Sequence, residues 1–356
     1  MSFSNEVLFF LGFAIFVIFV MLLDLGIFSN KKSHIVKFKE AGLWSAVWVS
    51  LAIGFYFFLR NYGYLIHDVS DADRLQIVKT SYYKTLSFSD DFTSNLSKFQ
   101  NNMALEYLTG YLVEYSLSID NIFVFILIFN SFGVRQNNYK KVLVWGILGS
   151  IILRFVFIFL GAALIQQFEW VLYLFGAFLV YTGISILFSK EGEESIDTKN
   201  HIAVKITSRY FNVYEKFVAD NFFVKNKYRG NKLFITPLFV VIIVIAFTDV
   251  IFAVDSIPAI FSITKDPYIV FFSNVFAIMG LRSMFFFLVN IINMFSYLKY
   301  GLGVLLTFIG VKMLAHNWLE DMGFTNIHSL IIILLILSLS IGVSLLFPPK
   351  EIQKHS

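Results

Sequence analysis

Glu114-Tyr115-Ser116-Leu117-Ser118-Ile119-Asp120-Asn121 sets two acids inside an apolar run, and Asp249-Val250-Ile251-Phe252-Ala253-Val254-Asp255-Ser256 repeats the arrangement in the second half of the chain. In both stretches an acid is followed six residues later by an Asp and then by a small polar residue, with Phe, Ile and Val around them. A carboxylate near the centre of a membrane helix costs about 2.5–3.5 kcal/mol on insertion scales. Acids retained at such a cost are candidates for function.

The surrounding composition makes these membrane helices. Of the 356 residues, 58% are hydrophobic and 15% charged, 44 are Phe, and the mean hydropathy is +0.74. Soluble domains are nearer half apolar and a quarter charged. The expected class is an all-α polytopic membrane protein, a single membrane domain over 1–356. The absence of Cys excludes disulfides and thiolate metal sites. The net charge of +4 is small and its basic residues gather beside apolar runs, which argues against a nucleic-acid partner. Glu6 precedes the first run and Lys31 and Lys32 follow it, the reverse of a cleavable signal.

Nine apolar runs are long enough to span, at about 6–28, 41–59, 103–131, 142–165, 169–188, 233–262, 268–292, 298–316 and 326–347. With the N-terminus outside and the C-terminus in the cytoplasm, the inner segments hold 19 Lys and Arg and the outer ones 6. That bias fits the positive-inside rule and makes 189–232 a cytoplasmic loop. Arg154, Arg282 and Lys312 fall within spans.

An internal repeat extends beyond the acids. Tyr173, Gly176, Leu179, Gly183 and Leu187 align with Tyr300, Gly303, Leu306, Gly310 and Leu314. Glycines seven apart lie near one helix face and permit close packing. Residues 103–188 and 233–316 then read as two three-helix units, each ordered acid pair, intramembrane Arg, glycine helix. Three is odd, so the second unit enters from the opposite side. Such inverted repeats are common in secondary transporters, with sites at the repeat interface.

Residues six apart on an ideal helix differ by about 240° in direction and 9 Å in height. One unbroken helix therefore does not chelate one ion with both its acids. The pairs form two tiers, or the helices unwind beside them. Pro258, three residues after Asp255, marks the expected break. Glu114, Asp120, Asp249 and Asp255 form an oxygen-donor set suited to Mg, Ca or Mn. Asn121 and Ser256 are candidates for further oxygens or for holding a carboxylate. Arg154, Arg282 and Lys312 would neutralise the acids in the empty state, or pair with them permanently. Asp24, near the inner end of the first span, is a weaker pathway candidate. His34, His67, His201, His316, His328 and His355 fall in loops or near span ends and receive no role.

The two acid stretches, with Phe247-Thr248-Asp249 leading into Phe252-Ala253-Val254-Asp255-Ser256-Ile257-Pro258-Ala259, resemble the TerC family of integral membrane proteins. Leu22-Leu23-Asp24-Leu25-Gly26 and Gly310-Val311-Lys312-Met313-Leu314 are similar too. The resemblance covers about residues 20–345, and the loop 60–102 is longer than the family leads one to expect. It implies a nine-span protein of the bacterial inner membrane, a link to tellurium resistance and, for Alx-like members, export of Mn(II). The family's motif acids carry over onto Glu114, Asp120, Asp249 and Asp255. Tellurite is an anion and fits an acid-lined path poorly, which favours a metal cation as the species handled. The leading expectation is a non-enzymatic exporter of a divalent cation, Mn(II) being the transported ion rather than a permanently bound cofactor, with proton exchange an option. The alternatives are a membrane scaffold held by structural ion pairs and an intramembrane aspartyl protease. Against the protease, the chain has no Gly-x-Gly-Asp sequence of the presenilin type. Sequence alone leaves the oligomeric state open.

Overall fold

In lipid, backbone polar groups have no water to bond and must be satisfied within the segment, so apolar runs become helices. The computed structural model describes residues 5–24, 38–168, 170–188, 202–214, 216–226, 232–289, 298–315, 318–319 and 322–346. The helices are α1 (Asn5–Asp24), α2 (Phe38–Tyr62), α3 (Ala72–Tyr82), α4 (Phe92–Ser131), α5 (Gln136–Gln167), α6 (Trp170–Phe188), α7 (Ile202–Tyr210), α8 (Pro237–Phe261), α9 (Pro267–Leu288), α10 (Leu298–Leu314) and, numbered here α11, Asn326–Leu346. Among the described residues, six helices are long and apolar enough to cross a membrane, and Val7–Leu23 and Tyr300–Leu314 are shorter apolar helices. The expected span 103–131 lies inside the 40-residue α4. This is an all-α polytopic membrane protein.

Three differences from the sequence expectations have local causes. The span expected over 233–262 begins instead at Pro237, because Lys232–Ile235 forms a strand, β2, paired antiparallel with β1 (Phe223–Asn226). Thr236 is extended, at φ −88° and ψ 163°. A residue before proline is pushed to that conformation, and Pro at the first helical position is pre-set for the helix. The loop 189–232 is thus partly folded, into α7 and this hairpin.

The second difference concerns Pro258. The expected break is not there: α8 continues through it to Phe261. Pro258 cannot make the bond to the Val254 carbonyl four residues back, and the helix runs only three residues further, to Phe261.

The third is the loop 60–102. It folds as a short 3-10 turn, α3, and an extension of α4 capped by Asp91, whose carboxylate accepts from the Thr93 and Ser94 amides. A buried cluster pins it to the α8–α9 turn. His67 Nε2 lies 2.6 Å from Asp266 Oδ2, and the Tyr83 hydroxyl donates to the same oxygen at 2.8 Å. Asp266 Oδ1 meanwhile caps α9 through the Tyr268 amide. The amino end of α4 and the carboxyl end of α8 therefore lie on one side of the bundle, and the two helices run antiparallel.

Helix α9 is almost wholly enclosed: all its residues except Tyr268, Phe271 and Phe287 are buried. It packs against α2, α4 and α5, while α8 packs against α5 and α4, and α6 against α10. The α6–α10 contact is close because of glycine. A Cβ on Gly176 would come within 3.1 Å of the Gly310 carbonyl oxygen, and one on Gly183 within 2.7 Å of the Gly303 oxygen. Gly176 thus faces the counterpart of Gly183, and Gly183 the counterpart of Gly176. This exchange shows that α6 and α10 pack antiparallel.

Candidate functional site

Four helices deliver polar groups to one point in the bundle interior. The centre is Arg154 of α5, 2% exposed. Its Nε and Nη2 donate to Asp249 Oδ2 and Oδ1 of α8 at 3.0 and 3.1 Å, a two-point pairing. Nη1 donates to Glu114 Oε1 of α4, to Asn274 Oδ1 of α9 at 2.6 Å and to Ser256 Oγ of α8 at 3.3 Å. The planar guanidinium fork suits such paired recognition of carboxylate.

Helix periodicity explains the composition of this point. Asp249 and Ser256 are seven residues apart, so α8 presents them on nearly one face. Asn274 spends its amide nitrogen on the Val270 carbonyl at 2.9 Å, which turns its oxygen toward Arg154. Glu114 and Asp249 are buried, at 0% and 2% exposure. Glu114 Oε2 has no hydrogen-bond partner among the described residues. The cluster taken by itself holds two carboxylates against one guanidinium. Isolated charge in a low-dielectric interior is costly unless paired, so this point attracts positive charge.

The expected site residues are distributed as follows. Glu114, Asp249, Arg154 and Ser256 come together. Asn121 is buried on α4 and takes no part in the Arg154 network. Arg282 is buried on α9, outside that network. Lys312 is buried on α10 and lines a separate cavity with Glu106. The side chains of Asp120, Asp255 and Asp24 lie outside the described residues. Their backbone positions are informative for the first two, because α4 and α8 are unbroken there. Asp120 sits about 9 Å along α4 from Glu114, and Asp255 about 9 Å along α8 from Asp249 and next to Ser256, itself a partner of Arg154. Since the helices are antiparallel, Asp120 lies toward the α7 side and Asp255 toward the α3 side. The two acids of each helix therefore stand apart along it, as their six-residue spacing requires. No cluster of three or more potential metal-ligating side chains occurs among the described residues.

Sequence reasoning missed Asn274, Glu106 and His67. Asn274 had no repeat partner to draw attention to it. Glu106 had a signal, an acid within the run 103–131 and eight residues before Glu114. His67 and Asp266 are far apart in sequence, and no local pattern joins them.

The family model described as "Integral membrane protein TerC family" matches residues 99–351. The chain belongs to the TerC family. Its TerC region contains the whole Arg154 cluster, whereas α1, α2 and α3 precede it. Among curated proteins, the Escherichia coli K12 protein named "Putative membrane-bound redox modulator Alx" is 40% identical over 303 residues, covering 85% of this chain and 84% of that protein. A Photorhabdus laumondii protein of the same name is 40% identical with the same coverage. A Rickettsia bellii relative named only as a membrane protein is 36% identical over 321 residues, covering 90% of this chain and 92% of its own. No solved structure matches this TerC-family chain.

Proposed function

We propose that this protein is a secondary transporter that exports a divalent cation, with Mn(II) the best candidate, through the carboxylates around Arg154. The observation that carries the reading is the buried cluster in which Glu114 of α4 and Asp249 of α8 share the Arg154 guanidinium while Glu114 Oε2 has no hydrogen-bond partner among the described residues. Arg154 acts as a tethered countercharge. An arriving cation takes over the carboxylates, and the guanidinium retains Asn274 and Ser256 as partners. Hard oxygen donors suit Mn, Mg or Ca. Acids spaced along α4 and α8 offer a stepwise path between the two sides. In this reading the protein resides in the bacterial inner membrane, with the N-terminus outside and the C-terminus in the cytoplasm.

The redox description belongs to the relatives. This chain has no Cys and so performs no thiol–disulfide exchange itself. A membrane scaffold is the second reading, favoured by the permanence that a two-point Arg154–Asp249 pair suggests. Thermal stability of the purified protein in a series of Mn(II), Mg(II), Ca(II) and Zn(II) separates the two. The transporter is stabilised by its ion, and Glu114→Gln weakens that response. A scaffold shows no metal-dependent shift, and it tolerates exchanging Arg154 with Asp249.

A further inference from the structure

Helix α7 and the β1–β2 hairpin form a small platform at the start of α8. The inward side of α7 is settled by Thr207, which is buried, and Val204, which packs on the core beside Leu238 and Val241. On the other side Lys205, Arg209, Ile206 and Tyr210 fill an arc of about 140° at 100° per residue. All four are exposed, Tyr210 at 75%. The hairpin continues that surface. Directly opposite residues of an antiparallel pair point to one side, so Lys225 and Leu233 share a face, and Phe223, two residues from Lys225, joins them. These three are exposed as well.

Ring contacts fix the height of the platform. Phe239, in the first turn of α8, meets Phe211, Phe222 and Phe223 with centroids 6.5, 6.5 and 4.8 Å apart. Phe222 lies between two residues of α5: the Lys141 ammonium is 4.7 Å from its ring, and the exposed Trp145 is 6.4 Å away. Between Lys141 and Trp145, α5 passes from the polar stretch Gln136–Lys141 into its apolar run. Trp and basic residues mark the boundary between bilayer and water, so the platform stands at headgroup level. Its charge is one-sided. Residues 202–235 hold seven Lys and Arg against Glu215 and Asp220, and Asp220 is already engaged by Lys141 at 3.1 Å.

We propose that this platform is a binding surface for anionic phospholipid headgroups. Lys205, Arg209 and Lys225 meet the phosphates, while Ile206, Tyr210 and Leu233 enter the acyl boundary beside them. Exposed apolar residues flanked by basic ones are the chemistry of an interfacial helix, in which apolar area supplies depth and positive charge supplies selectivity for anionic lipid. The surface stands apart from the Arg154 cluster, and the inference does not depend on what crosses there.

The test uses the full-length protein in lipid vesicles. The chain has no Cys, so Ile206→Cys carries a single dansyl label, and its quenching by brominated phosphatidylglycerol is compared with that by brominated phosphatidylcholine. Both are expected to quench, the anionic lipid at lower mole fraction. Lys205→Gln and Arg209→Gln each lower that preference by about fivefold, the scale of one basic residue near an anionic surface, and Lys205→Arg retains it. Lys225→Gln, on the hairpin, lowers it without touching α7. A label quenched by neither lipid overturns the proposal: if aqueous iodide reaches it, the surface faces water, and if iodide does not, protein covers it. Equal quenching by the two lipids, unchanged in all three Gln variants, overturns it too and leaves only general contact with the bilayer.

Discussion

Arg154 joins the two halves of the molecule through its side chain alone, and the energetics of that contact are asymmetric. Forming a buried ion pair gains little over an apolar pair of the same volume, whereas removing one partner leaves a bare charge in the interior. Arg154→Ala strands both Glu114 and Asp249 and is expected to destabilise the protein by about 3–5 kcal/mol. Asn274→Ala removes one neutral acceptor from a charged donor, with an expected loss of about 1.5–3 kcal/mol. Thermal unfolding in detergent checks both, and an Arg154→Ala loss smaller than that of Asn274→Ala contradicts the cluster's role. The acids were legible in the sequence because charge in an apolar run is conspicuous. Asn274 was not, because a single neutral amide in a helix of Phe, Ile and Ser carries no periodic signal. Its meaning came from α9 being almost wholly enclosed, with Asn274 among its buried residues.

Elements are positioned by chemistry at their ends and by close approach along their length. The His67–Asp266–Tyr83 cluster fixes the α3 segment to the start of α9, with all three side chains buried. Burial raises the Tyr83 hydroxyl well above its ordinary pKa of 10.0, and the nearby Asp266 carboxylate adds to the shift. The neutral hydroxyl therefore supports the folded state fully below about pH 10. As pH rises beyond that value the unfolded chain releases its proton first, and stability falls. Tyr83→Phe is expected to cost about 1 kcal/mol at neutral pH and to flatten the alkaline decline, as read from unfolding temperature against pH. The α6–α10 pair makes a second prediction. A Cβ on Gly183 would lie 2.4 Å from Thr307 Oγ1 and 2.6 Å from its backbone nitrogen. Gly183→Ala forces the helices apart and is expected to cost about 1–3 kcal/mol, whereas Gly54→Ala on α2, which meets nothing within 4 Å, is expected to be neutral or slightly favourable. Gly176, Gly183, Gly303 and Gly310 were readable as a packing motif from their spacing. The start of α8 at Pro237 was hidden by the apolar residues of β2, which hydropathy does not distinguish from helix.

For the whole molecule, the antiparallel course of α4 and α8 converts two equal spacings into a ladder. Glu114 and Asp249 meet at Arg154, and Asp120 and Asp255 follow them about 9 Å further along their helices in opposite directions, Asp255 beside the Arg154 partner Ser256. Sequence offered two options for these acids, unwound helices or separate tiers. Neither α4 nor α8 unwinds at its acids, and α8 runs on through Pro258 to Phe261. The helical class and the membrane setting were written in composition and run length. The assembly of Arg154 with acids from α4 and α8 was not, because it depends on which helices cross, a long-range property that no local pattern encodes. The account stands or falls on whether a cation crosses at the Arg154 cluster. The direct measurement is Mn(II) flux into proteoliposomes holding purified parent protein or a folded Asp249→Asn variant. The predicted result is saturable flux in the parent, reduced at least about tenfold in the variant, the effect of losing roughly 1.4 kcal/mol of interaction. Flux absent from the parent, or equal in the two, contradicts a cation path through this cluster.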